Sequence, residues 1–159
     1  MPINKVREYF KEFGIEDRIK EFDESSATVL LAAKALNTEP ERICKTISFK
    51  GTDDTCILIQ AAGDVKIDNK KFKDEFGIKA KMLSPDEVYS MTGYMVGGVC
   101  AFSIDNPKVH IYVDESVKRF DFIYPACGTS NSAIKLSIDE LYKYSKAIKY
   151  VDVCKLIED

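Results

Sequence analysis

Two neighbouring segments, Ile43 to Lys50 and Thr55 to Ala62, constrain this chain more than any other part of it. Both are rich in Ile, Thr, Cys, Leu and Phe, which suit a pleated, half-buried surface. Gly51-Thr52-Asp53-Asp54 between them has the composition of a hairpin loop. A lone hairpin is not stable in water, so more strands and a helical cover must come from elsewhere in the chain.

The flanking patterns supply them. Asn4 to Phe13 sets Val6, Tyr9, Phe10 and Phe13 at helical spacing before Gly14. Arg18 to Asp23 reads as a short strand, and Ser26 to Leu36 as an Ala- and Leu-rich helix ended by Asn37. Thr38-Glu39-Pro40-Glu41 predicts a capping box and one further turn. Asp68 to Phe76 predicts a basic amphipathic helix stopped by Gly77, and Lys79 to Leu83 a short strand. Ser84-Pro85-Asp86-Glu87 predicts another capping box, opening a helix that runs to about Met91. Lys108 to Asp114 alternates Val109, Ile111 and Val113 as a half-buried strand. Asp121 to Ala126 and Ala133 to Leu136 read as a strand pair across a polar connection. Ser137-Ile138-Asp139-Glu140 caps a last helix, and Ile148 to Val153 reads as a last strand. The expectation is one α+β domain over residues 1–159, with a mixed sheet and interspersed helices.

A length of 159 residues suits one core rather than two. The 45% hydrophobic and 31% charged fractions describe a globular protein, and a net charge of −3 confines any polyanion contact to a local patch. No apolar run reaches membrane-spanning length, and Met1 to Lys5 lack a signal peptide's pattern, so the expected compartment is the cytoplasm. Cys44, Cys56, Cys100, Cys127 and Cys154 form no CxxC pair, and His110 is the single histidine. Neither a metal site nor a disulfide framework is expected, and the thiols read as small buried hydrophobes.

Lys45 puts a lone cation into an apolar strand, on the face of Ile43 and Ile47. Unpaired burial is costly, so it must reach a cleft, a carboxylate or a ligand, or else snorkel to the strand end. Gly97-Gly98 is either a tight turn or a stretch of bare main chain that holds a reacting carbonyl or a water. A fixed cation facing such a loop suits an ester or phosphate ligand. Cys127 to Ser132 reads first as a solvated turn and second as a ribose or amino contact. The lysines from Lys66 to Lys81 are balanced by acids and read as a solvated face. Cys100 has no histidine or acid near it in sequence to activate it, and His110 falls out of phase with its strand's apolar positions.

Taken in order, Lys45-Thr46, Ala62-Gly63-Asp64, Lys70-Lys71, Leu83 to Val88, Gly93-Tyr94-x-x-Gly97-Gly98-Val99, Tyr112 to Glu115 and Gly128 resemble the YbaK/EbsC family. That family is similar to the editing domain of bacterial prolyl-tRNA synthetases. The resemblance spans about Thr28 to Leu141. It implies a barrel-like mixed sheet with surrounding helices and hydrolysis of mischarged aminoacyl-tRNA in trans, without cofactor or metal. Its partners would be the aminoacyl-tRNA acceptor end and prolyl-tRNA synthetase, with a tRNA-Pro species carrying Cys, Ala or Ser as substrate.

By the same resemblance, Lys45, Gly97 and Gly98 are the catalytic positions, and Thr46, Val99, Cys100, Ala101, Gly128 and Thr129 contact substrate. Two departures stand out. The family loop usually reads Gly-Gly-Val-x-Pro-Phe, whereas Ala101 stands here in the proline's place, removing a backbone restraint and restoring an N–H donor. The later loop reads Ala126-Cys127-Gly128-Thr129-Ser130-Asn131, and Ala133 stands where some members carry an acid. Three readings remain open from sequence: a deacylase, a non-catalytic module binding tRNA ends, nucleotides or a synthetase, and a thiol hydrolase using Cys100.

Overall fold

A computed structural model describes residues 2–158. Helix α1 (Pro2–Lys11) buries Ile3, Val6 and Phe10; of the expected stripe Tyr9 is half-buried, and Phe13 falls past the helix end and is exposed. A short helical turn, Glu16–Arg18, leads into strand β1 (Ile19–Glu21). Helix α2 (Val29–Leu36) begins later than its composition suggests, because Thr28 takes the N-cap and its Oγ1 accepts from the Leu31 amide. Asn37 ends it in the left-handed conformation, with φ 53°. The capping box expected at Thr38 does not form. Pro40 occupies the first helical position of the turn Pro40–Arg42, so the N-cap falls on Glu39, and Thr38 Oγ1 donates to the Glu39 carboxylate instead.

The hairpin forms as expected. Strands β2 (Ile43–Lys50) and β3 (Cys56–Ala62) pair antiparallel, with Lys45 opposite Ala61 and Thr46 opposite Gln60. After β4 (Val65–Ile67), helix α3 (Asn69–Phe76) is capped by Asp68 and closed by Gly77. The strand expected at Lys79 to Leu83 shrinks to one bridge between Phe49 and Met82. Helix α4 (Pro85–Thr92) carries the full capping box between Ser84 and Glu87. Strands β5 (Val109–Asp114), β6 (Phe122–Pro125), β7 (Ser132–Ile134) and β8 (Leu136–Ser137) follow. Helix α5 (Ile138–Tyr144) and strands β9 (Tyr150–Val151) and β10 (Cys154–Leu156) complete the order.

The main sheet runs β8-β6-β2-β3-β5-β9, mixed in direction, and curls into a half-barrel. Two expected strands prove to be divided between partners. Ile123 and Phe122 pair with Leu136 and Ser137, but Ala133 and Ile134 turn away to pair with Lys20 and Ile19 of β1. The chain after Ile148 likewise splits, β9 joining β5 and β10 joining β4. Its break has a physical cause: the Val153 amide donates to the buried Asp114 carboxylate at 2.9 Å rather than to a ladder.

Period-two alternation sends the hairpin's side chains to two cores. Phe49, Ile59 and Ala61 pack with Phe72 of α3 on the outer face. Cys44 and Val113 join Phe10, Tyr94, Phe102 and Leu141 on the inner face, beside a third cluster of Leu58, Ala101 and Ile111. Full burial of each of Phe10, Phe72 and Phe102 contributes about 1.5–3 kcal/mol of transfer free energy. All five cysteines are buried and free, and His110 is half-buried, as their positions predict. No helix among the described residues is long and apolar enough to cross a membrane.

Candidate functional site

Strand β6 pairs with β2 only at Ile43–Tyr124 and Cys44–Pro125, so beyond Cys44 the edge of β2 opens. Alternation turns the main-chain groups of Cys44, Thr46, Ser48 and Lys50 away from β3. Those of Cys44 meet β6. The Ser48 carbonyl accepts the Leu83 amide at 3.3 Å, and the Lys50 amide donates to the Lys81 carbonyl at 2.8 Å. Thr46 lies between: among the described residues, its amide and carbonyl have no ladder partner. An open donor–acceptor pair on a sheet edge is a ready receptor for a polar ligand.

A cavity of about 240 Å³ lies against this edge. Its walls include Lys45 and Thr46 of β2, Thr28 and Val29 at the head of α2, and Gly97 and Val99 of the loop after α4. Among the described residues, Lys45 is its only charged wall. Desolvation of this half-buried ammonium pushes its pKa below the ordinary lysine value, while Cys154 and Asp64 pull it back weakly. Asp64 is itself committed elsewhere, held by both terminal nitrogens of Arg119 at 2.9 and 2.5 Å. Lys45 forms no ion pair among the described residues. A desolvated cation on a neutral, partly apolar cavity attracts a negative or strongly dipolar group.

The glycine loop faces it. Gly93 closes α4, and the fully buried Tyr94 donates its hydroxyl hydrogen to the Phe102 carbonyl, tying the two ends of the loop together. Gly97 has φ 96°, a conformation that L side chains rarely adopt. Gly98 is required for a different reason. A Cβ there would lie 2.8 Å from Thr129 Cα and 2.9 Å from the Gly128 carbonyl oxygen, so only glycine lets the two loops touch.

The loop from Cys127 to Ser132 is therefore not the solvated turn its composition suggests. Its Ser130 carbonyl accepts from both the amide and the hydroxyl of Ser26, and its Asn131 side chain donates to the Phe22 carbonyl at 2.9 Å. The Phe22 amide returns a bond to the Asn131 carbonyl at 2.7 Å. These bonds strap the loop to the segment leading into α2, which local composition gave no means of foreseeing.

Of the positions singled out in the sequence, Lys45, Thr46, Gly97 and Val99 line the cavity together. Gly98, Gly128 and Thr129 stand behind that wall as the contact between loops. Cys100 lies in the inner core, its thiol 3.9 Å from the Phe102 carbonyl oxygen, and burial pushes it up to about 11. Ala101 packs in the third cluster and borders a different cavity, with Lys5, Tyr9 and Lys146. Sequence inspection missed Thr28 and Val29. The only signal for them was the N-cap pattern, which marks a helix start and not a ligand.

Comparison with known proteins gives this geometry a context. The profile of the aminoacyl-tRNA editing domain matches residues 23–144. The chain is 47% identical over 155 residues to the uncharacterized protein YwhH of Bacillus subtilis (strain 168), covering 98% of each. A stretch of 86 residues is 28% identical to a proline–tRNA ligase of Brachyspira hyodysenteriae (strain ATCC 49526 / WA1), covering 54% of this chain and 15% of that protein. A crystal structure of a candidate trans-editing enzyme for prolyl tRNA synthetase shares the fold, with a TM-score of 0.86 at 24% identity over 97% of each chain.

Proposed function

The chain belongs to the YbaK-like aminoacyl-tRNA editing domain family, and from that premise we propose that it hydrolyses the ester of mischarged aminoacyl-tRNA in trans. One observation carries the reading: an unpaired, half-buried Lys45 opens on a neutral cavity beside the free main chain of Thr46 and the Gly97 loop. An aminoacyl ester is already activated, so placement and carbonyl polarisation supply most of the acceleration. In this reading Lys45 is a point charge for the terminal phosphate or the ester oxygens. The Thr46 amide polarises the ester carbonyl, and the Gly97 wall admits the attacking water. Water adds to the carbonyl carbon and the bond to the ribose oxygen breaks. The ribose hydroxyl leaves with a proton from that water, and the freed carboxylic acid loses its own proton to solvent.

The cavity's size, roughly eight water volumes, and its lack of an acidic wall favour a small neutral side chain. Together with the likeness to part of a proline–tRNA ligase and to a candidate trans-editing enzyme for prolyl tRNA synthetase, this supports tRNA-Pro carrying Cys, Ala or Ser as substrate and prolyl-tRNA synthetase as partner, and a tRNA substrate in turn fits a cytoplasmic setting. Ala101 lacks the ring that would restrain the loop exit, yet the Tyr94–Phe102 bond restrains the same exit. That favours a catalytic loop over one that only binds.

The test is hydrolysis of cysteinyl-, alanyl- and seryl-tRNA-Pro by the purified protein. Deacylation well above the buffer rate is expected on at least one of them. Binding without deacylation selects a non-catalytic module, and a buffer rate on all three with no binding at low salt sinks both. Cys100→Ser is expected to stay within about twofold of the wild-type rate, because its thiol is buried, protonated and outside the cavity wall. A collapse of turnover in a folded Cys100→Ser protein would instead point to thiol chemistry.

A further inference from the structure

Gln60 lies at the middle of β3, fully buried, and neither atom of its carboxamide has a hydrogen-bond partner among the described residues. Buried amides are nearly always paired, because an orphaned one forfeits its hydration for nothing. A leucine or methionine would fill the same volume without that cost. The position is also specific. Gln60 faces Thr46 on β2 and Val113 on β5. The Ser48 carbonyl points away from β3, so by alternation Thr46 does too, and Thr46–Gln60 is a non-hydrogen-bonded pair. In such pairs the side chains stand closest and share one face. That face also carries the inner core, where Val99 packs against two clusters and borders the cavity. An unsatisfied amide thus lies directly beneath the one residue of β2 whose main chain is open to the cavity.

We infer that Gln60 is a positioning residue. In the occupied site its carboxamide holds the Thr46 hydroxyl, and through it the open strand edge, in the orientation that receives the ester. The inference rests on the deacylase reading above. When the cavity is filled, the Gln60 amide donates to Thr46 Oγ1, and that hydroxyl donates onward to the ligand. The core cost of the orphaned amide is then offset only in the occupied state, which favours binding geometry over resting stability.

The test pairs stability with kinetics. Gln60→Leu is expected to melt about 2 °C higher than wild type, because an unpaired polar group is replaced by an apolar one of similar size. Its kcat/KM should fall about tenfold, the size of one hydrogen bond lost from the occupied site. Thr46→Val should lose a similar factor, and the double variant should be no slower than the slower single one. Independently of turnover, the Gln60 side-chain amide resonances should move when wild type is titrated with 3′-alanylamino-3′-deoxyadenosine, an amide that resists hydrolysis. They should not move in Thr46→Val.

Wild-type kcat/KM in Gln60→Leu overturns the inference, as does a lower melting temperature, which would reveal an ordinary structural bond. Amide resonances that stay fixed while the probe binds overturn it as well. A wild-type protein that binds the probe but hydrolyses no aminoacyl-tRNA removes the deacylase reading and leaves the amide shift to decide Gln60. Neither turnover nor probe binding removes both.

Discussion

Lys45→Met is expected to lower kcat/KM for deacylation by at least about a hundredfold while the protein stays as stable as wild type or becomes more so. Loss of a positioned charge in a desolvated site accounts for the first effect. The second follows from Lys45 being half-buried with no ion pair among the described residues. Burial depresses its pKa in the folded state, so between that lowered value and the ordinary lysine value the unfolded chain binds more protons. Wild-type stability should therefore rise with pH through this alkaline window, and Lys45→Met should flatten the rise. Turnover should move the opposite way, falling across the same window as the ammonium loses its proton. Melting curves and initial rates at matched pH values read both. A variant that unfolds more easily yet deacylates normally would make Lys45 a structural cation.

Gly98→Ala is expected to lose both stability and turnover, by about 1–3 kcal/mol and more than tenfold respectively. The added methyl would meet the main chain of Thr129 and Gly128 rather than a side chain able to swing away. The strap between Asn131 and Phe22 limits how far that loop can retreat. Gly97→Ala offers a contrast. Its Cβ would find ordinary contacts at 3.5 and 3.7 Å, so its cost comes from φ 96° alone, about 1–3 kcal/mol. Urea melts with parallel rates separate the two: collision at Gly98 opens the cavity wall, whereas strain at Gly97 leaves its neighbour loop in place. Wild-type behaviour of Gly98→Ala would mean that the loops slide apart freely.

The parts of this molecule that depend on neighbours in sequence were readable in advance. The capping boxes at Ser84 and Ser137 involve side chains three residues apart, and both form. The hairpin from Ile43 to Ala62 is set by composition and a short loop, and it forms in register. Lys45 shares a face with Ile43 and Ile47 because a strand's period is two, whatever surrounds it. The capping box at Thr38 failed because Pro40 moved the N-cap to Glu39, and the strands divided where a segment had two possible partners. Ala133 and Ile134 chose β1 over β6, and the chain after Ile148 broke where Asp114 captured the Val153 amide. Neither outcome is encoded within the segment concerned.

The residues alone determined that a sheet hairpin would carry an isolated cation and that a double glycine would follow a capped helix. Those are properties of local spacing and of glycine's missing Cβ. Tertiary structure decided that β6 stops at Cys44, that the Thr46 main chain consequently faces a cavity, and that Gly98 presses on the loop at Thr129. Each of these depends on where a distant segment ends, and a strand's unpaired edge becomes a site only through the partner that fails to cover it.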